Sequence, residues 1–353
     1  MRNRRLRTAA LALGAVVLWV AAAQAGGRNV TDMAGRTVAL PAKVSRVFCV
    51  NPIAATILYT LAPDRLLGWN FPLRPEEKRF LPRAYAELPV LGGWFSTQKG
   101  NVEEILKHRP DLFLHMGPLD ASTRSLADRL QEQAGIPVVV LDYELTRLDR
   151  TYAFLGKLLG ETKRAEALGA YCRETLRDVA DKARGIPREK RVRVYYAEGP
   201  KGLQTEPSGS RHSQILDLVG ATNVAEVPQG GLNGMSAASL EQIHLWDPDL
   251  ILAWGTSRGG AYDGILSDPN WKTLRAVANR RVYAVPDNPF CWFDRPPGVN
   301  RLLGVRWAAA LIYPEVFRYD LVKEAQRFYR LFWRYDLTAE EARDILRHSV
   351  RKE

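Results

Sequence analysis

"VEEILKHRPDLFLHMG" at 102–117 and "LEQIHLWDPDLILAWG" at 240–255 are the two stretches whose reading decides the fold. Set against each other at a constant offset of 138, Glu103 meets Glu241 and Ile105 meets Ile243. Pro110 and Asp111 meet Pro248 and Asp249, and Gly117 meets Gly255. Each copy reads as a short helix, a Pro-Asp turn, a buried apolar strand and a glycine where the chain leaves the strand. One unit used twice predicts two halves on a common plan.

The surrounding sequence continues that pattern. "VSRVFCVN", "LLGWN" and "PVVVLDY" lie in the first half, "VRVYYAEG" and "RVYAVP" in the second, and amphipathic stretches separate them. Apolar strands alternating with helical stretches predict an α/β fold with largely parallel sheets. Between the halves, Ala165, Leu168, Cys172, Leu176 and Val179 form one helical stripe that Gly185 and Pro187 stop. A helix over 161–187 would be about 35 Å long, enough to run from one lobe to the other. A chain of about 330 residues after residue 25 exceeds what one core usually serves. We therefore expect an N-terminal lobe at 26–145, a connecting helical segment at 146–187 and a C-terminal lobe at 188–353.

Residues 1–25 carry Arg2, Arg4, Arg5 and Arg7, then the apolar run "LALGAVVLWVAAA", then "AQA". A basic start, a short apolar stretch and a small-x-small site predict a signal peptide cleaved after Ala25, the alternative being an uncleaved anchor. No Cys follows that site for lipidation. Loss of four arginines and no acid would lower the net charge from +11 to +7. The cations are scattered among 39 acids without a basic run, which excludes a nucleic-acid tail. Cys49, Cys172 and Cys291 have no CxxC or zinc spacing, so no disulfide framework is expected, and Cys49 reads as a buried thiol.

The order of "VTDMAGRTVALP" at 30–41, "VSRVFCV", "NVEEILKHRPDLFL", "GSRHSQILDLVGATNVAE" and "SLEQIHLWDPDLIL" resembles the periplasmic solute-binding proteins of ABC importers for iron chelates, haem and corrinoids. That resemblance implies two α/β lobes joined by one long helix and a periplasmic monomer. It also implies a ligand cleft between the lobes, an inner-membrane permease with its ATPase as partner, and no cofactor. It further implies that Glu103 and Glu241, one on each lobe, dock onto permease arginines. Acids in the first turn of a helix also favour the helix dipole, so both readings of these residues stand. Many relatives carry an acid after the first strand where this chain has Thr56.

In open α/β sheets ligands sit beyond the carboxyl ends of the strands, which places His115, Met116 and Trp254 at the lips of a cleft. Trp69, Trp94, Phe95, Trp254, Trp292 and Phe293 all fall after strands or in loops. Aromatic faces there suit a flat apolar ligand or a cation, or else simply pack. In "NPFCWFDRPPGVNRLLGVRW" at 288–307, Arg295 precedes a proline pair and a helix; it either neutralises a ligand anion or pairs with Asp294 or another loop acid. Arg211 stands in a similar context, with Ser208 and Ser210 as hydroxyl donors. The expected ligand contacts are Trp94, Met116, Arg211, Trp254, Trp292 and Arg295.

His115, Met116, His212, Met235 and Cys291 form no recognisable metal motif, so no metal held directly by the protein is expected. No GxSxG, P-loop, GxGxxG or HExxH is present, and catalytic residues are not expected; a secreted α/β hydrolase is the contrasting class. The aromatics point to a metal chelate of iron-siderophore, haem or corrinoid type. The arginines, and a "DRPP" phrase resembling a molybdate- or tungstate-binding branch, point to an oxyanion.

Overall fold

The computed structural model describes residues 27–230 and 234–351; the expected signal peptide lies outside the described residues. Strands β1 (Arg28–Thr31) and β2 (Thr37–Leu40) form an antiparallel hairpin. Its turn is organised by Asp32, whose carboxylate accepts from the backbone N–H groups of Ala34 and Arg36, and of Val140 in the adjoining sheet.

That sheet comprises β3 (Val47–Cys49), β4 (Leu112–Gly117) and β5 (Val138–Asp142), parallel and in that order. All their residues are buried, as continuous apolar runs in parallel sheets require. Helices α1 (Pro52–Leu61), α2 (Val102–Lys107) and α3 (Ala121–Ala134) link them. Then come α4 (Leu148–Leu159) and α5 (Thr162–Ala183). The second lobe holds β6 (Arg193–Ala197), a small antiparallel pair of β7 (Gln204–Thr205) with β9 (Ser236–Ala237), α6 (Gln214–Leu218), β8 (Thr222–Asn223) and α7 (Leu240–Trp246). With β10 (Leu250–Trp254) and β11 (Val282–Val285) its main sheet is fully parallel, in the order β11-β10-β6-β8. The α/β fold with parallel sheets in two lobes is as the sequence predicts.

The repeated Pro-Asp phrase performs one task twice. Asp111 accepts from the backbone N–H groups of Ser45 and Arg46, and its own N–H donates to the Arg46 carbonyl at 2.7 Å. Asp249 accepts from the Arg193 N–H at 2.9 Å and donates back to the Arg193 carbonyl at 2.8 Å. Arg46 then reaches the His108 carbonyl, and Arg193 the Trp246 carbonyl, at matching places in the repeat. Each clasp locks the start of a neighbouring strand in register.

The connecting segment holds α4 packed on the long helix α5. Gly160, at φ +77°, turns the chain between them, and the Gly156 Cα lies so close to α5 that a Cβ there would stand 2.3 Å from the Ala165 methyl. The 22 residues of α5 span about 33 Å.

Beyond α8 (Asn300–Ile312) the chain returns to the first lobe through α9 (Leu321–Phe328), a π-helical turn at Tyr329–Trp333 and α10 (Ala339–Leu346). Trp333 stacks on Tyr59 at 5.3 Å, Tyr329 meets Phe80 at 5.5 Å, and Arg79 pairs with Glu341 at 2.8 Å. One hydrophobic cluster therefore runs through both lobes, taking in Val47, Ile57, Leu168, Tyr196, Trp307 and Trp333.

Candidate ligand-binding cleft

A cavity of about 480 Å³ opens between the lobes at the carboxyl ends of β4 and of the strands facing it. On the first lobe its wall starts at the cap of α1. The Asn51 side chain accepts from the Ala54 N–H at 3.1 Å and donates to the Met116 carbonyl at 2.8 Å, tying the helix start to the end of β4. His115 and Met116 follow on that strand and line the cavity. Trp94 is placed by its backbone N–H, which donates to the Val50 carbonyl at 2.7 Å; a Cβ on the preceding Gly93 would meet that same carbonyl at 2.4 Å. Phe71 and Phe95 complete an aromatic edge.

On the second lobe Arg211, His212, Met235, Arg258 and Arg295 line the opposite wall. The Arg211 guanidinium lies over the Tyr143 ring at 4.9 Å and has no hydrogen bond or ion pair among the described residues. Arg258 donates to the Arg295 carbonyl at 2.8 Å and rests on the Trp254 ring at 5.6 Å.

Arg295 is held quite differently. Its guanidinium donates to Asp294 and Glu198, and to Glu206 at 2.6 Å, all three carboxyl groups being fully buried. Glu206 also accepts from the Ser210 hydroxyl at 2.6 Å and the Met235 N–H at 2.8 Å. Burial, together with the Asp294 charge, pushes the Glu198 carboxyl up to about 10, so it is protonated at neutral pH. Burial also works against the Asp294 carboxylate, but the Arg295 guanidinium beside it holds its pKa down at about 2. Burial lowers His115 to about 4, aided by the Arg36 charge. Burial and then the Arg295 charge lower His212 to about 4 as well. Both imidazoles are neutral at pH 7.

Of the expected ligand contacts, Trp94, Met116, Arg211 and Arg295 reach the cavity wall. Trp292 does not: it is fully buried, and its indole N–H donates to the Asn288 carbonyl at 3.0 Å. Its aromatic area is satisfied by the core, where it lies under α8. Trp254 stands behind the wall, with its indole N–H on the Tyr196 hydroxyl and its face beneath Arg258 and Arg295. It positions arginines. Phe293 packs on Tyr196 at 4.5 Å, Trp69 is buried, and the Ser210 hydroxyl serves Glu206. Arg295 meets the alternative reading of its stretch, pairing with Asp294 and other acids. His115, placed at the cleft's lip but not among the expected contacts, lines the wall, and so do His212 and Arg258, which sequence reasoning missed. Only the position of His115 after a strand signalled any of the three.

Residues 49–289 match the family described as periplasmic binding protein. This chain belongs to the periplasmic binding protein family. A solved ABC transporter solute-binding protein from Sulfurospirillum deleyianum is 30% identical, with a TM-score of 0.84 over 91% of this chain and 99% of that one. The molybdate-binding protein MolA of Haemophilus influenzae is 24% identical over 87% of this chain and 91% of its own length. An uncharacterised ABC transporter substrate-binding lipoprotein of Bacillus subtilis is 25% identical over 82% of this chain and 87% of its own length. As a periplasmic binding protein the chain is the substrate-binding component of an ABC transporter and works with a membrane permease and its ATPase. Cys49, Cys172 and Cys291 are buried and unbridged; burial pushes the Cys291 thiol up to about 12, so it is inert at neutral pH.

Proposed function

We propose that this binding protein captures an anionic metal chelate in the inter-lobe cavity and, without catalysis or a cofactor, delivers it as an exported monomer to the permease. The observation that carries this reading is a cavity of about 480 Å³ with an aromatic edge on one lobe and, on the other, two guanidinium groups, Arg211 and Arg258, without carboxylate partners among the described residues. That volume falls in the range of about 300–1,000 Å³ that encloses small organic ligands. The aromatic rings suit the flat organic part, and the guanidinium groups suit carboxylate, catecholate or hydroxamate oxygens.

The second reading is a bare oxyanion such as molybdate or tungstate. The same two guanidinium groups favour it, as does the molybdate-binding relative. Glu103 and Glu241 are exposed in the first turns of α2 and α7, and we assign them to permease docking. Mass spectrometry of the intact protein taken from its native compartment, with metal analysis of the same sample, tests the choice. An organic complex of a metal supports the first reading, molybdenum or tungsten without an organic carrier supports the second, and a turnover product would overturn both.

A further inference from the structure

We propose that His115 and His212 are neutral Nε2–H donors in a wall of hydrogen-bond donors, so that the cavity takes unprotonated ligand oxygens and rejects anions bearing an O–H. The inference rests on the cavity being the ligand site. His115 is 6% exposed and His212 8% exposed. Among the described residues, Nδ1 of each ring is sealed from solvent without a partner, and Nε2 makes no hydrogen bond but keeps access to the cavity. Two buried imidazoles from opposite lobes with neither nitrogen satisfied call for a ligand.

A neutral imidazole carries its one ring proton on Nδ1 or on Nε2. On Nδ1 the proton would be an N–H buried without an acceptor, while on Nε2 it faces the cavity and leaves only a lone pair unmet inside. Orphaned buried N–H groups are the rarer of the two defects, so the proton belongs on Nε2. The charges around the rings do not call for imidazolium. His115 lies in the field of Arg36 and Asp120, which oppose each other. His212 lies near Arg295 and Arg211 on one side and Asp294 and Glu206 on the other, and Arg295 already engages both acids.

The rest of the wall agrees. Arg211 and the Trp94 indole are donors only, and neither N–H set has a hydrogen-bond partner among the described residues. No carboxylate side chain lines the cavity among the described residues. The wall carbonyls of Ile53, Met116, Gly117 and Pro296 already accept hydrogen bonds from within the protein. Ser96, the hydroxyl on the wall, sits at its exposed rim. A ligand O–H directed at Arg211, Trp94 or either imidazole would therefore meet N–H groups, with an affinity loss of about tenfold to a hundredfold per unmatched group.

Two measurements on untagged full-length protein test this. Long-range proton–nitrogen NMR on ring-labelled histidine, assigned with His115→Gln and His212→Gln, should report Nε2–H tautomers for both and no titration from pH 5.5 to 8. Calorimetry at pH 7 should show hydrogen phosphate binding at least tenfold more weakly than molybdate, and His212→Gln, whose amide brings an acceptor oxygen, should narrow that gap. Nδ1–H tautomers, imidazolium at pH 7 or equal affinity for the two anions would overturn the proposal. Ferric tris-catecholate serves as the third probe: binding of any probe alongside Nδ1–H tautomers would sink this inference and leave the ligand site standing. Nε2–H tautomers with all three probes unbound would uphold the donor assignment and fault the reading of the cavity as an oxygen-anion site.

Discussion

Removing the Arg295 guanidinium would leave Asp294, Glu206 and Glu198 buried without the cation that bonds all three. Breaking a buried ion pair from one side costs about 3–5 kcal/mol, so Arg295→Ala should lower the stability of the ligand-free protein by that order, read from its urea midpoint. Arg211→Ala should do the opposite. It removes only a ring contact with Tyr143, worth about 0.5–1 kcal/mol, while ligand affinity should fall by about 1.5–3 kcal/mol for a charge-assisted contact. Calorimetry beside a melting curve separates the two arginines. The two histidines lower stability toward acid. Their folded pKa of about 4 lies below the ordinary 6.5, so the unfolded chain binds protons first as pH falls. The stability they contribute is complete above 6.5 and lost toward pH 4, at most about 3 kcal/mol for each ring. His115→Gln should flatten that part of the stability–pH curve. Glu198 acts in the reverse direction: its folded pKa is raised from 4.5 to about 10, so its contribution is complete below 4.5 and lost as pH rises toward 10.

The decisive element is α8, which holds the loop at 288–297 from behind. A Cβ on Gly304 would lie 1.7 Å from the Trp292 carbonyl, so the helix and the loop at 288–297 touch backbone to backbone. Gly304→Ala must push the two apart. Overpacking of this kind costs about 1–3 kcal/mol, and a fixed backbone oxygen places this case at the upper end. Gly264→Ala is the control, since a Cβ there meets nothing within 4 Å, and its melting temperature should stay level or rise slightly. If Gly304→Ala also weakens ligand binding, the loop's position, and not Trp292's ring, is what the helix supplies to the site.

The whole molecule carries one core through both lobes, closed by α9, the π-helical turn and α10 against the first lobe. Uncovering even 200 Å² of apolar surface there would cost about 5 kcal/mol at about 25 cal/mol per Å². Lobe closure on ligand should accordingly be small, and solution scattering should show little change in radius of gyration between free and bound protein. A change of the size produced by paired-loop hinges would contradict the shared core. Replacing Glu103 and Glu241 together with Ala should leave ligand affinity unchanged and reduce transport, because both acids are exposed on helices away from the cavity. Exposed pairs are screened, so the contribution of these acids to association with the permease should shrink as salt rises.

What the sequence determined by itself is whatever depends on local pattern: the repeated helix, Pro-Asp turn and strand, the parallel sheets that apolar runs require, and the long helix ended by Gly185 and Pro187. Asp111 and Asp249 show why, since each bonds to the start of a neighbouring strand in the same way. The site was legible only in part. Met116 reaches the cavity because its strand end leads there, whereas Trp292 and Trp254 satisfy the same rule and are taken up by the core and by the backing of Arg258 and Arg295. The sequence offered Asp294, the neighbouring residue, as a partner for Arg295, but only tertiary structure brings Glu198 and Glu206 to it, across separations of 97 and 89 residues. It alone leaves Arg211, His115 and His212 facing the cavity with no side-chain hydrogen-bond partner among the described residues. Which arginine is bound by acids and which is left for a ligand depends on distances between segments remote in sequence, and residue type and spacing do not carry them.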